Sequence, residues 1–405
     1  MRAILVPLVA TLVVQALGAL ANFVLPVLAP EAAPVFGLDA SYVGLYTGLL
    51  YVGAASSTLV SGGFVTHYGP IRVSQTALLV SAAGIALIAS GSIWLLPASA
   101  LLIGIGYGPM TPASSHILAR RTPPGMLSLI FSIKQTGVPA GFALAGTALP
   151  PLALAAGWQA AVMASAGLCA LAALLLQPIR EACDDDRGPW RPFSAAAIVG
   201  PLRLVFGHPP LRRIAVASVA FSAAQIGTMA LLVAYLTESV GLGLVVAGTA
   251  LSVGQIAAIA GRIGWGAWAD RLGRPQIVLA LLAFGMTASV LAFAALDAGW
   301  PIAGVVAVCA CLGATVVGWN GVALAETARQ APPGRVGEAT GGTLSVTFSG
   351  VIVGPPLLSL LVQATGGYKA GFLLLAAATA LVGAMFVAGL RAERLTPARN
   401  ISRSR

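Results

Sequence analysis

The sequence predicts an all-α membrane protein of twelve transmembrane helices in two six-helix repeats. Three observations carry this. Of 405 residues, 22 are basic and 12 acidic, while 58% are hydrophobic. A soluble domain carries about 25% charged residues, so this chain could not cover a soluble surface. Disorder is excluded as well, because disordered chains are poor in apolar residues. Second, the apolar residues run continuously instead of alternating, which selects helices over a barrel. Third, a span needs about 20 apolar residues, roughly 30 Å of helix. Twelve spans fit the length and leave no room for a large soluble domain.

In order, the apolar stretches lie at 4–29, 41–64, 73–93, 95–118, 127–149 and 157–178, then 214–236, 243–267, 276–296, 301–327, 340–364 and 369–390. The first follows Met1-Arg2. It is too long for a signal peptide and shows no cleavage site, so it reads as a span. Pro97 and Pro150-Pro151 mark tight turns beside spans 4 and 5. The stretch 179–213 holds Glu181, Asp184, Asp185, Asp186 and several arginines. It reads as a solvated cytoplasmic linker with a short surface helix near 194–206. It divides the chain into an N-terminal six-helix bundle, 1–178, and a C-terminal one, 214–405, with a short cytoplasmic tail.

The basic residues set the orientation. With the N-terminus inside, nineteen of the 22 Lys and Arg fall in cytoplasmic segments, and only Lys369 falls outside. Lys134 and Arg262 lie within spans. Such asymmetry is the positive-inside signal, and it places both termini in the cytoplasm. The net charge of +10 is therefore a topology signal and not a nucleic-acid footprint. The arginine-heavy, alanine-rich composition points to a bacterial inner membrane. Cys169, Cys183, Cys309 and Cys311 have neither metal-ligand nor disulfide-framework spacing. No metal and no cofactor are expected.

The two halves echo each other. The stretch around Gly62–Gly69 pairs with Gly266–Gly273 at an offset of 204. Arg120–Gly125 pairs with Arg329–Gly334 at 209, and Ser132–Gly137 with Ser345–Gly350 at 213. Parallel six-span repeats are a transporter signature, with the site at their interface near mid-membrane. The stretch Gly266-Ala267-Trp268-Ala269-Asp270-Arg271-Leu272-Gly273-Arg274 matches the loop motif G-x-x-x-D-[RK]-x-G-[RK]. In this the chain resembles the major facilitator superfamily over essentially its whole length. The copy between spans 2 and 3 has Thr66 for the Asp and Pro70 for the Arg. The resemblance implies the major facilitator fold, a cavity lined by spans 1, 4, 7 and 10, and spans 5 and 8 as neighbours between the halves. It also implies that Gly266, Asp270, Gly273 and Arg274 serve as gate residues. The stretch Gly261-Arg262-Ile263-Gly264-Trp265-Gly266 is similar to the span-8 region of oxalate/formate antiporters and monocarboxylate transporters, whose Arg binds substrate carboxylate.

Enzyme motifs are scarce, and Gly104, Gly106 and Gly108 inside span 4 form only a weak nucleotide motif. Intramembrane charges are costly, so Lys134, Arg262 and Glu326 are functional candidates. Lys134 and Arg262 each lie eight residues from the cytoplasmic end of their span, about 12 Å deep. Neither has an acid three or four residues away. They read as two cations, one per half, awaiting an anion. Glu326 is shallower and reads as a gate residue, paired with Arg274 or Arg329. His116 reads as a packed polar residue. Gln15, Thr111, Gln135, Gln225 and Asn320 cluster at mid-depth as further substrate contacts. The glycines and prolines at Gly137, Pro139 and Gly141, mirrored by Gly350, Gly354 and Pro355-Pro356, read as bending interface helices or as simple close packing.

The expectation is a monomeric secondary transporter moving a small organic anion, a carboxylate, by alternating access. The alternatives are a proton-coupled exporter of apolar or drug-like compounds, and a non-transporting membrane sensor or scaffold. The expected partners are the anionic substrate, protons or a counter-anion, and the lipid bilayer.

Overall fold

The computed structural model describes residues 2–122, 127–189, 196–333 and 335–395. Among them there is no strand. Twelve helices are long and apolar enough to cross a membrane. Spans 1, 2 and 3 are Arg2–Ala32, Val43–Tyr68 and Pro70–Ile88. Span 4 is broken, Leu96–Tyr107 and then Met110–Arg121. Span 5 runs as Leu127–Gln135 and Gly137–Ala156, and span 6 as Trp158–Leu175. Spans 7, 8 and 9 are Pro209–Glu238, Leu244–Leu272 and Pro275–Ala294. Span 10 joins Ile302–Leu312 to Asn320–Gln330 through a π-helical turn, Gly313–Val317. Spans 11 and 12 are Val336–Thr365 and Lys369–Leu395.

Two expectations need correction. Pro150 and Pro151 do not sit in a turn; they lie inside span 5, and the chain turns at Gly157, at φ 88°. A proline removes one backbone donor, and in a bundle neighbouring groups can absorb that loss. Pro97 stands at the start of its helix, where its missing N–H costs nothing. The linker is not simply solvated. Its segment Arg180–Gly188 docks on spans 2, 3 and 4, and Asp184 is fully buried. The expected surface helix is present as Ala196–Gly207 and packs on spans 7 and 11. The glycine ends of the second echo, Gly125 and Gly334, and the arginines beyond residue 395 lie outside the described residues.

The same crossings recur in both sets of six. Gly104 of span 4 meets the Leu50 carbonyl of span 2. At the matching positions, Gly313 of span 10 meets the Gly254 carbonyl of span 8. Small residues let helix backbones approach this closely. Between the sets, contact is tight at the end away from the termini. Gly146 of span 5 packs on Gly248 of span 8, and Ser252 donates to Ala143 O at 2.8 Å. Gly44 and Gly48 of span 2 pack on Pro355 and Pro356 of span 11. Toward the terminus-bearing end, Met110–Arg121, Leu127–Gln135 and Asn320–Gln330 pack mainly on helices of their own set. The bundle is closed at one end and open at the other.

Candidate substrate site

Close approach of spans 8 and 10 builds the site. Gly254 and Gly261 touch Gly313 and Ala314, and the next residue, Arg262, is thereby set against the π turn. Its Nε donates to Val317 O at 3.2 Å. Its guanidinium also crosses to the other set of six and donates to the backbone oxygen of Gln135 at 3.3 Å. Tyr107 of span 4 lies within electrostatic reach of Arg262 and beside Gln15. Thr111 donates to Gln15 Oε1 at 3.1 Å, and the buried Gln15 Nε2 has no hydrogen-bond partner among the described residues. Further along span 10, Trp319 Nε1 and Asn320 Nδ2 donate to Gln225 Oε1 of span 7 at 2.9 Å and 3.1 Å.

The structure thus brings Arg262, Gln135, Gln15 and Thr111 into one group, and Gln225 and Asn320 into a second. The side chain of Gln135 is exposed; only its backbone meets Arg262. Lys134 is not joined to them. It is 1% exposed and makes no hydrogen bond or ion pair among the described residues. It shares a helix face with Gly137 and Gly141, which pack on Leu12, Gln15 and Ala16 of span 1. No ion pair among the described residues includes Lys134 or Arg262.

At the terminus-bearing end, Glu326 is fully buried. It pairs with Arg329 at 2.9 Å and accepts from Gln276 at 3.0 Å and Gln330 at 2.9 Å. Arg329 also donates to Gly273 O at 3.2 Å, tying span 10 to the loop motif. Of the two partners expected for Glu326, Arg329 is present and Arg274 is not. Asp270 and Arg274 are exposed. Gly273 closes span 8 in the left-handed region, at φ 62°, and Gly266 faces open space.

The matching region of the first six spans uses the linker instead. Asp184 accepts from Ile71 N at 2.7 Å and Arg72 N at 3.0 Å, capping span 3. Burial pushes its carboxyl up, against the pull of those two N–H groups. Asp185 pairs with Arg120 at 3.0 Å, and that bond holds its carboxyl below the ordinary value. Asp186 pairs with Arg120 at 2.8 Å and with His116 at 2.6 Å. His116 is a partner of the linker, more than a packed polar residue.

Sequence reasoning missed Tyr107 and Trp265. Both carry a readable signal: Tyr107 lies one turn before Thr111, and Trp265 lies three residues after Arg262. Trp265 Nε1 donates to Ala314 O at 2.9 Å. It missed also a pocket of about 230 Å³ at the closed end, lined mostly by apolar residues of spans 1, 2 and 4, with Asp39 and Tyr46 in its wall. That pocket contains none of the candidate substrate contacts.

A family profile described as Major Facilitator Superfamily matches residues 11–342. Two curated relatives from strains of Mycobacterium tuberculosis, described as uncharacterized MFS-type transporters, are 26% identical over 271 residues. That match spans 67% of this chain and 60% of each relative's length. Among solved structures, a bacterial homolog to the human lysosomal transporter Spinster, inward-facing and unoccupied, has TM-score 0.75 at 15% identity. The likeness covers 98% of this chain and 99% of that one. A peptide transporter POT in complex with sulfate has TM-score 0.75 at 17% identity, covering 97% and 96%. These structural likenesses show the fold.

Proposed function

The chain belongs to the major facilitator superfamily, a family of membrane transporters and not of enzymes, and we propose that it moves a small organic anion, a carboxylate, by alternating access. The observation that carries this reading is the state of Arg262. Its guanidinium stands between the two sets of six spans, held only by backbone oxygens and faced by no acid among the described residues. A half-buried cation inside a span and without a counter-charge is costly, and an anion relieves that cost. Arg offers a planar fork that matches a carboxylate. The surrounding groups are neutral, and the Gln15 amide faces Tyr107. Lys134, buried on span 5, adds positive potential nearby.

The basic asymmetry supports cytoplasmic termini in a bacterial inner membrane. In that orientation the closed end faces outward and the open end inward. The rocking units are 1–178 and 214–405, joined by the linker. An anion that engages Arg262 and the Gln135 side draws the units together, which couples binding to occlusion. Protons or a counter-anion supply the driving force, and the transporter works as a monomer.

The test is uptake of radiolabelled formate, oxalate, lactate, succinate and benzoate into proteoliposomes, with and without a pH gradient. Saturable uptake of at least one, abolished in Arg262→Leu, is expected. Transport confined to cationic or neutral lipophilic compounds would sink the anion reading in favour of the drug exporter.

A further inference from the structure

The π turn of span 10 has a counterpart in span 4, and the two are held differently. Span 4 breaks at Gly108-Pro109, and Thr58 of span 2 donates to Gly108 O at 3.0 Å. With offsets of 204 and 209, Thr58 matches Arg262 and Gly108 matches Val317. The bond from Arg262 Nε to Val317 O is therefore the same link made twice. Val317 carries a side chain where Gly108 has none, so the longer arm of Arg262 makes the bond that a threonine makes in span 2.

A π turn leaves backbone carbonyls without their α-helical partners, and such turns concentrate at functional sites. In span 10 a second donor from span 8 meets this need, Trp265 Nε1 to Ala314 O. The matching residue in span 2, Ser61, donates within its own helix, to Thr58 O. Span 8 thus commits two side chains to the turn, and one of them is the guanidinium of the proposed site. The segment beyond the turn carries Asn320 and Glu326, a wall residue and a gate residue.

We propose that Trp265 and Arg262 are positioning residues that hold span 10 in its π turn, so that an anion engaging Arg262 weakens its bond to Val317 and releases the segment carrying Asn320 and Glu326. The release step rests on the anion reading above; the holding role does not. Trp265 is the residue that separates them, because it touches the hinge and has no part in the anion site.

The experiment places nitroxides on Ala119 and Ala328, matching positions at the open ends of spans 4 and 10, in the full-length protein in nanodiscs. Electron–electron distances are recorded without any ligand. Trp265→Phe removes the donor and keeps a ring, and it should add a second, separately resolved distance population. Arg262→Lys keeps the charge and removes the Nε–H, and it should do the same. Trp268→Phe is the control, since Trp268 stacks near Trp265 at 5.6 Å and should leave the wild-type distribution. With the carboxylate that scores in the uptake panel, Trp265→Phe should lower turnover roughly tenfold, the worth of one net hydrogen bond, while KM stays within about twofold. Wild-type distances in both Trp265→Phe and Arg262→Lys would overturn the proposal. So would an equal shift in Trp268→Phe, which would make ring packing the cause. Failure of every carboxylate would remove the anion reading and leave the ligand-free distances to judge the hinge.

Discussion

The two sets of six spans carry the same crossings but place their charges differently. In the first, Gln15 binds Thr111 and Thr58 holds the break in span 4. In the second, Gln225 binds Asn320 and Arg262 holds the π turn of span 10. At the open end the second set is tied by its own Glu326, and the first by the linker's Asp184, Asp185 and Asp186. The loop motif is complete in the second set and reduced to Thr66 and Pro70 in the first. A degraded motif does not leave a bundle untied. The acid has moved out of the loop and arrives from the linker.

Matched substitutions sharpen this comparison. The contrast that bears most directly on transport is at the span-2/span-8 position. Arg262→Lys should cut transport by roughly 2–3 kcal/mol of transition-state or binding free energy, because the fork is lost though the charge stays. Thr58→Val, its counterpart, should cost no more than about 1 kcal/mol, one neutral hydrogen bond. Initial uptake rates in proteoliposomes compare the two. Equal losses would mean that the position is structural in both halves.

Next is the span-5/span-11 pair. Lys134→Ala should weaken anion binding by roughly 2–5 kcal/mol if the ammonium joins the anion on closure. Thr347→Ala, at the matching position, should stay within about 0.5 kcal/mol. Calorimetric titration reads both. A Lys134→Ala protein that binds as wild type would reduce Lys134 to a packing residue.

Third comes the open-end tie. Asp184→Ala removes the cap of span 3 and should lower stability by about 1–2 kcal/mol. Since Glu326 keeps the second set tied, the loss should appear as faster hydrogen exchange over 70–76 and not over 275–281. Equal exchange in both segments would break the assignment of one tie to each set.

Last comes the loop motif, where Asp270 is exposed in this conformation. Asp270→Asn should act only on the outward-open state, biasing the population inward by about 1–3 kcal/mol. Thr66→Val should do little. Cysteine labelling of the open end that is unchanged in Asp270→Asn would contradict a bracing role.

The spans were legible because lipid imposes a simple rule: a run of about 20 apolar residues needs no tertiary context to be read. Prolines misled at Pro150-Pro151, where local propensity lost to the bundle. The π turn was not legible, since nothing in Gly313–Val317 differs from an ordinary apolar helix. The site was half legible. Intramembrane charge singled out Arg262 and Lys134, but sequence depth gives no facing, so the enclosure of Lys134 against span 1 came only with the fold. Asp184, Asp185 and Asp186 read as solvated because an acidic run in a linker usually is. The basic partners of Asp185 and Asp186, Arg120 and Arg121, lie more than sixty residues away in sequence.

The central claim is that the site recognises negative charge through Arg262. The most direct measurement is calorimetric binding of a matched series to the purified protein: the carboxylate that scores in the uptake panel, its neutral amide, and the amine of the same skeleton. The account predicts that the carboxylate binds wild type, that amide and amine do not, and that Arg262→Lys loses at least tenfold in affinity, about 1.4 kcal/mol. Equal binding of carboxylate and amide, or binding of the carboxylate that is indifferent to Arg262→Lys, would contradict it.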